Sequence, residues 1–386
     1  RDFVTADRRV VGTDGRSTDV VVTLRPDTDS VTVVASTEVL TTGNTLAADD
    51  AMASRELDQF APGSGFQSAV RMFASVMATA NGFNIKGGRP NQVGVQLEAG
   101  TLVDPASAIA HVPLPDDAIR SVTVLANPYS VEYGRFSYGL VTIQTTRASD
   151  RWRFQLNRLT PIIRNDRGKL FRFRIDEFRP RYATGGPLVE GRLFLEQTGQ
   201  VRFSSSDVPS RPEDERRVSK SLSSFTRVDA NLSPRHSLVA TVGLFPGVTS
   251  AANLGTFTPP AAAVDLDTFA RQAAVIERAR WTDDILSETT VHVLRSRTDV
   301  FPQGSSTMEL RPDTTLGNFF NRQQRNSTSF QFVHTVTSHA FKFGIDVLAA
   351  AYDGTSDSRP VLIERTDGTL ARRLDYAGAS RQSVGN

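Results

Sequence analysis

The stretch Ile119–Thr146 reads I-R-S-V-T-V-L-A-N-P-Y-S-V-E-Y-G-R-F-S-Y-G-L-V-T-I-Q-T-T. Its two ends, Ser121–Leu125 and Leu140–Gln144, alternate in the period-two pattern of half-buried strands. Between them lies a turn-rich segment carrying Tyr129, Glu132, Tyr133, Gly134 and Gly139, the glycines serving as backbone devices for turns. The inner run Gly134-Arg135-Phe136-Ser137-Tyr138-Gly139 superficially suggests a nucleophile elbow. That motif needs glycine two residues before the serine, where this chain has Arg135, so the match fails.

This strand–turn–strand resembles the end of the plug domain of TonB-dependent outer-membrane receptors. There a Tyr-x-x-Glu-Tyr-Gly turn and a Gly-x-Val-x-Ile-x-Thr strand come just before the barrel. Two further motifs fit the resemblance: Ile85-Lys86-Gly87-Gly88-Arg89 is similar to the family's Ile-Arg-Gly strand and turn, and Asp116–Ile119 to its Leu-Pro-x-x-x-Ile turn. Where the family often has Leu-Asp-Gly, this chain reads Leu97-Glu98-Ala99-Gly100, one residue longer. The resemblance implies a plug over residues 41–147 and the N-terminal portion of a transmembrane barrel over 148–386.

Composition permits this. The 386 residues contain no apolar run long enough for a transmembrane helix, and the mean hydropathy is −0.26. A membrane barrel keeps hydropathy low because its strands alternate. The charge is nearly balanced, 44 Lys and Arg against 42 Asp and Glu. In the basic stretch from Arg151 to Arg202, Arg alternates with Phe, Ile and Leu, which fits strands with one wet face better than a nucleic-acid surface. With no cysteine there is no disulfide framework or thiol nucleophile. The chain opens at Arg1 and ends without a terminal aromatic strand, and so reads as a fragment or processed product.

Upstream, Phe3–Val11 and Asp19–Leu24 read as strands around the turn Thr13-Asp14-Gly15. They look like the last strands of a carboxypeptidase-regulatory-like β-sandwich over residues 1–27. Residues 28–40 form a linker containing Asp29, Ser30, Val31, Thr32, Val33, Val34 and Ala35. This is either an ordinary edge strand or a TonB box, an extended peptide that adds to a partner's sheet through backbone hydrogen bonds. Its place upstream of the plug favours the box. Phe66, Ala69, Val70, Phe73, Val76 and Met77 recur at helical spacing and predict a helix over Gly63–Met77 packed on the plug sheet.

Downstream, alternating segments are separated by polar loops. Leu238, Ala240, Val242 and Leu244 share one face; so do Phe330, Phe332, His334 and Val336, and Phe341, Phe343, Ile345 and Val347. A cation facing lipid costs about 2–4 kcal/mol at the bilayer midplane. Arg172, Arg174, Lys342 and Asp346 are therefore expected to face the lumen, with the Phe and Ile rows toward lipid. Gly185-Gly186-Pro187-Leu188-Val189-Glu190-Gly191-Arg192-Leu193-Phe194 is similar to an early periplasmic hairpin of Oar-like receptors. Period two yields roughly nine to eleven strands, against about 22 in the family barrel.

No catalytic constellation is present, and no cofactor or metal is implied. The five histidines are scattered; His334 and His339 could pair on a metal but suit lumen or turn positions better. The expected fold is mainly β, a small α+β plug followed by part of a large antiparallel barrel. The resemblance implies a non-enzymatic receptor in a Gram-negative-type outer membrane, its N-terminal segment periplasmic. It would import an unspecified bulky solute, energised by a TonB-type partner, with outer-membrane lipid around it and no nucleic acid. An adhesion or display protein of the same architecture, or a soluble periplasmic binding module, are the alternatives. The soluble module alone requires Phe341, Phe343 and Ile345 to lie in a closed core.

Overall fold

A computed structural model describes residues 49–53, 66–79, 82–110, 112–126, 133–165, 173–376 and 378–385. The strands expected over residues 1–27 and the segment Asp29–Ala35 lie outside the described residues. In chain order the first elements are β1 (Asp49–Ala53), α1 (Phe66–Val70), β2 (Val76–Thr79), β3 (Gly82–Ile85), β4 (Gly94–Leu97), β5 (Gly100–Thr101), β6 (Val103–Asp104), β7 (Ile109–Ala110), β8 (Ile119–Leu125) and β9 (Leu140–Thr145).

The alternation that marked the Ile119–Thr146 stretch becomes an antiparallel pair, with Val122 opposite Ile143 and Val124 opposite Val141. β4 joins β9 in parallel, and the sheet order is β1-β8-β9-β4-β5. Burial of Val122, Val124, Val141 and Ile143 against Phe66, Ala69 and Val70 forms the core. Each large apolar side chain so buried contributes about 1.5–3 kcal/mol.

The helix is much shorter than its spacing predicts. After Val70 the chain turns, and Val76–Thr79 pairs with Gly82–Ile85 as a hairpin, leaving Met77 exposed. Val76 lies opposite Ile85. A β partner supplied by the next segment wins over the helical stripe, which no local signal distinguishes from a strand.

The second sheet is built from β10 (Arg153–Asn157), β11 (Ile162–Asn165), β12 (Phe173–Phe178), β13 (Arg181–Val189), β14 (Leu193–Asp207), β15 (Arg216–Ser233), β16 (His236–Ser250), β17 (Val264–Arg280) and β18 (Leu286–Pro302). Next along the chain come β19 (Met308–Leu310), β20 (Thr315–Leu316), β21 (Asn321–Thr337), β22 (Lys342–Ser358), β23 (Val361–Glu364), β24 (Leu370–Leu374) and β25 (Ala379–Gly385). Twelve strands form the wall, with β10 and β25 at its ends; β19, β20, β23 and β24 make a separate four-stranded sheet. The wall therefore holds more strands than the period-two reading yields. The short β10 and β11 are too brief to alternate over the usual length.

From β14 to β22 every pairing is antiparallel, and the only register shift lies at the turn end of β15 and β16. Connections alternate short and long: 190–192, 234–235, 281–285 and 338–341 at one end, 208–215, 251–263, 303–320 and 359–378 at the other. Constant register keeps one row of side chains on each face across the wall. Phe341, Phe343 and Ile345 are 50%, 60% and 56% exposed, in an outward row that continues through Val347. A closed core around them is therefore overturned, and with it the soluble-module reading. No helix among the described residues is long and apolar enough to cross a membrane.

Arg172 lies outside the described residues, while Arg174 is half-buried and paired with Asp176 at 2.9 Å and with Asp207. Asp346 faces inward, as its charge requires, and meets Arg135 of the first sheet's connections there.

Candidate functional site

The first sheet and its connections meet the wall's inner face through three groups of contacts. At the tight β4–β5 turn Glu98 takes a positive φ of 54°, and its carboxylate accepts from Arg227 of β15 at 3.0 Å. Glu98 also accepts from the Thr145 backbone and hydroxyl, at 3.0 and 2.8 Å. Arg227 donates to Thr145 Oγ1 and, through its remaining nitrogens, to both oxygens of Asp229 at 2.9 Å. The extra residue in Leu97–Gly100 thus places a carboxylate where the wall has its buried guanidinium.

The second group surrounds the single-turn 3-10 helix Asp116–Ala118. Arg181 of β13 lies 3.2 Å from Asp116 and 3.4 Å from Asp117, and Arg202 of β14 lies 3.4 Å from Asp116. Gln200 donates to Asp116 while its carbonyl accepts the Asp116 backbone N–H, both at 3.2 Å.

The third group lies on β18, β21 and β22. Gly100 backs directly on buried His292, so a Cβ there would come within 2.5 Å of the imidazole. The Thr101 N–H donates to Gln331 at 2.9 Å, Ser327 donates to Asp104, and Arg135 bonds Asp346 at 2.5 Å. Both ring nitrogens of His292 lack a hydrogen-bond partner among the described residues.

Glu98, Gly100 and Thr101 reach β15, β18 and β21, which lie four strand spacings apart in the sheet order. One short plug turn thus touches wall strands at both ends of that span, and the first sheet packs against the wall's inner face as a plug.

The predicted plug residues converge only in part. Ile85 is fully buried, and Gly139, with φ 61°, packs so closely on it that a Cβ would approach within 2.7 Å. Gly88 sits against Tyr138, where a Cβ would meet the ring at 2.4 Å. Lys86 and Gly87 take the left-handed turn at φ 47° and 82°, and the Arg89 backbone N–H donates to Gln92 at 2.8 Å. The Ile85–Arg89 and Gly134–Gly139 motifs, far apart in sequence, therefore pack on one another. Tyr133 is half-buried; Tyr129 and Glu132 lie outside the described residues. Gly134 has neither a positive φ nor a close neighbour, and the left-handed residue of that turn is Arg135 at φ 67°. The turn role expected of Gly134 is thereby corrected.

Sequence reasoning missed most of the interface. Asp116 and Asp117 read as part of a turn, Arg181 and Arg202 as members of an alternating basic stretch, and Arg227 is not singled out; the signal available was charge at inward positions of strands that must cross a bilayer. His334, expected in the lumen or a turn, lies on the outward face beside Thr289 at 3.0 Å, which corrects that placement.

A plug held inside an antiparallel wall with short turns at one end and long loops at the other is the architecture of outer-membrane receptors whose pore their own N-terminal domain closes. The fold is that of TonB-dependent outer-membrane receptors. A point mutant of the ferric enterobactin receptor PfeA of Pseudomonas aeruginosa superposes with TM-score 0.60 at 12% identity, over 81% of this chain and 50% of that one. The outer membrane transporter YddB of Escherichia coli matches with TM-score 0.58 at 12% identity, over 87% and 52%. The siderophore receptor PirA of Acinetobacter baumannii gives 0.60 at 12% identity, over 80% and 48%. The chain spans about half the length of these structures. No family model matches the sequence, and no curated protein does.

Proposed function

We propose that this chain is part of a gated receptor that imports a bulky solute across an outer membrane. The observation that carries the reading is the plug itself. Its loops meet strands from β13 to β22 through ion pairs and hydrogen bonds, most of them buried or partly buried, so passage requires those contacts to rearrange. Moving the plug must separate several such contacts at once, and an energy input follows naturally. In this reading residues 41–147 are the plug and 148–386 the wall. Asp29–Ala35 is the periplasmic strand on which a TonB-type partner pulls. The regulatory-like segment over residues 1–27 precedes it in the periplasm.

PfeA, PirA and YddB, which share the fold, are described as receptors or a transporter, which supports import over catalysis. Deleting residues 29–35 from the full-length protein tests the reading. Solute binding is expected to persist while energised uptake stops. Unchanged uptake removes the assignment of that segment, and surface binding without energised uptake in the intact protein points to adhesion or display instead.

A further inference from the structure

The outward face of the wall carries cations as well as apolar residues, and their placement is specific. Constant register puts Leu244, Arg271, Arg295, Thr328 and Ala351 in one outward row across β16, β17, β18, β21 and β22. The row next toward the short-turn end is Val242, Ala273, Val293, Phe330 and Ala349, wholly apolar. The row next toward the long loops holds Pro246, Phe269, Arg297, Asn326 and Asp353.

Arg271 and Arg295 are directly opposite, exposed, and belong to no ion pair or side-chain hydrogen bond among the described residues, although Arg297 nearby is held by Asp267 at 3.6 Å and Asp299 at 3.0 Å. Like charges opposite one another on adjacent strands are destabilising. The two arginines stand nine residues from the turn ends of their strands at Arg280 and Leu286. At ~3.3 Å per residue and ~40° tilt this is about 23 Å above the turn ends. It is about 15 Å above the outward-facing pair His236–Glu277, so the apolar strip lies between that pair and the two arginines.

We infer that Arg271 and Arg295 form a binding site for the phosphate groups of an anionic lipid in the leaflet on the long-loop side. Two guanidinium forks at the top of an apolar strip match a ligand with acyl chains below and phosphate above. Valine and phenylalanine rows receive the chains, and the forks donate to phosphate oxygens in bidentate pairs. A soluble anion satisfies the forks but makes no use of Val242, Ala273, Val293 and Phe330. The inference rests on the membrane-barrel reading.

The test uses full-length protein in phosphatidylcholine nanodiscs doped with diphosphoryl lipid A or its phosphate-free counterpart, and native mass spectrometry of the lipid retained. Heat-modifiable migration first establishes that the barrel is folded and inserted. A preference for the phosphorylated lipid of about tenfold or more is expected, resisting excess inorganic phosphate and lost in Arg271→Gln/Arg295→Gln. Arg297→Gln, whose side chain already has acidic partners, should leave the preference in place. An inserted protein with no preference, or an unchanged preference in the double variant, overturns the site. Displacement by inorganic phosphate overturns its lipid character. A full-length protein that never inserts overturns the barrel reading as well.

Discussion

The Arg227 guanidinium donates to Glu98 across 3.0 Å, and that bond crosses from the wall of the molecule to the tip of its plug. Arg227 also binds Thr145 at the end of the plug sheet and Asp229 on its own strand. Arg147 leads out of the plug between Asp229, at 3.8 Å, and the ring of Phe194, at 5.4 Å. One buried guanidinium thus ties together the β4–β5 turn, the last plug strand and the segment that enters the wall.

Arg227→Met is therefore expected to cost about 3 kcal/mol, because part-buried Glu98 loses its cation and buried Asp229 keeps only the more distant Arg147. The plug should be cut earlier by protease in the folded barrel, while heat-modifiable migration of the wall persists. Equal protease resistance in the variant would mean that the pair is not what seats the plug.

Two glycines of one loop should respond differently. Gly139→Ala introduces a Cβ within 2.7 Å of Ile85 at a residue with φ 61°, and is expected to destabilise the plug by at least about 1 kcal/mol. Gly134→Ala meets nothing within 4 Å and should stay within about 0.5 kcal/mol of the parent. Protease cleavage of the plug across a denaturant series would compare them, and equal losses would contradict the packing of the two motifs.

The faces of the wall can be tested by single charges. Val347 lies in the outward row with Phe332, and Ser221 faces inward beside Gly247. Val347→Arg should cost about 2–4 kcal/mol when folding into bilayers is followed, and Ser221→Lys about 0.5 kcal/mol or less. Reversed costs would invert the assignment of lipid and lumen.

How much of this could be read in advance depended on whether the information was local. Period-two alternation in Leu238–Leu244 and Phe341–Val347 reports a face directly, and those rows lie where their pattern places them. The Gly134–Gly139 loop was legible as a turn, but which glycine mattered was not. Gly139 is constrained by Ile85, more than fifty residues earlier. Helical spacing over Phe66–Met77 misled because the partner that turns Val76 into a strand is Ile85, across a hairpin. The plug–wall contacts were the least legible. Asp104 with Ser327 and Thr101 with Gln331 join residues more than two hundred positions apart, and nothing near either member announces the other.

The same contacts offer a way to ask whether the plug must move. These 386 residues hold no cysteine, so an introduced pair adds the only thiols within them. A Cβ built at Gly100 falls 3.0 Å from the His292 Cβ, and replacing the imidazole clears the space between them. Disulfides span Cβ separations of about 3.5–4.5 Å, which a small shift of the β4–β5 turn provides. In the full-length protein, Gly100→Cys/His292→Cys should oxidise readily, stitching β5 of the plug to β18 of the wall. If import requires that turn to leave the wall, the oxidised form binds solute but does not transport it, and reductant restores uptake. The single variants control for the lost imidazole and the filled glycine. Uptake by the fully oxidised protein at the reduced rate would show that solute passes with the β4–β5 turn in place, and would confine the moving part of the plug to other elements.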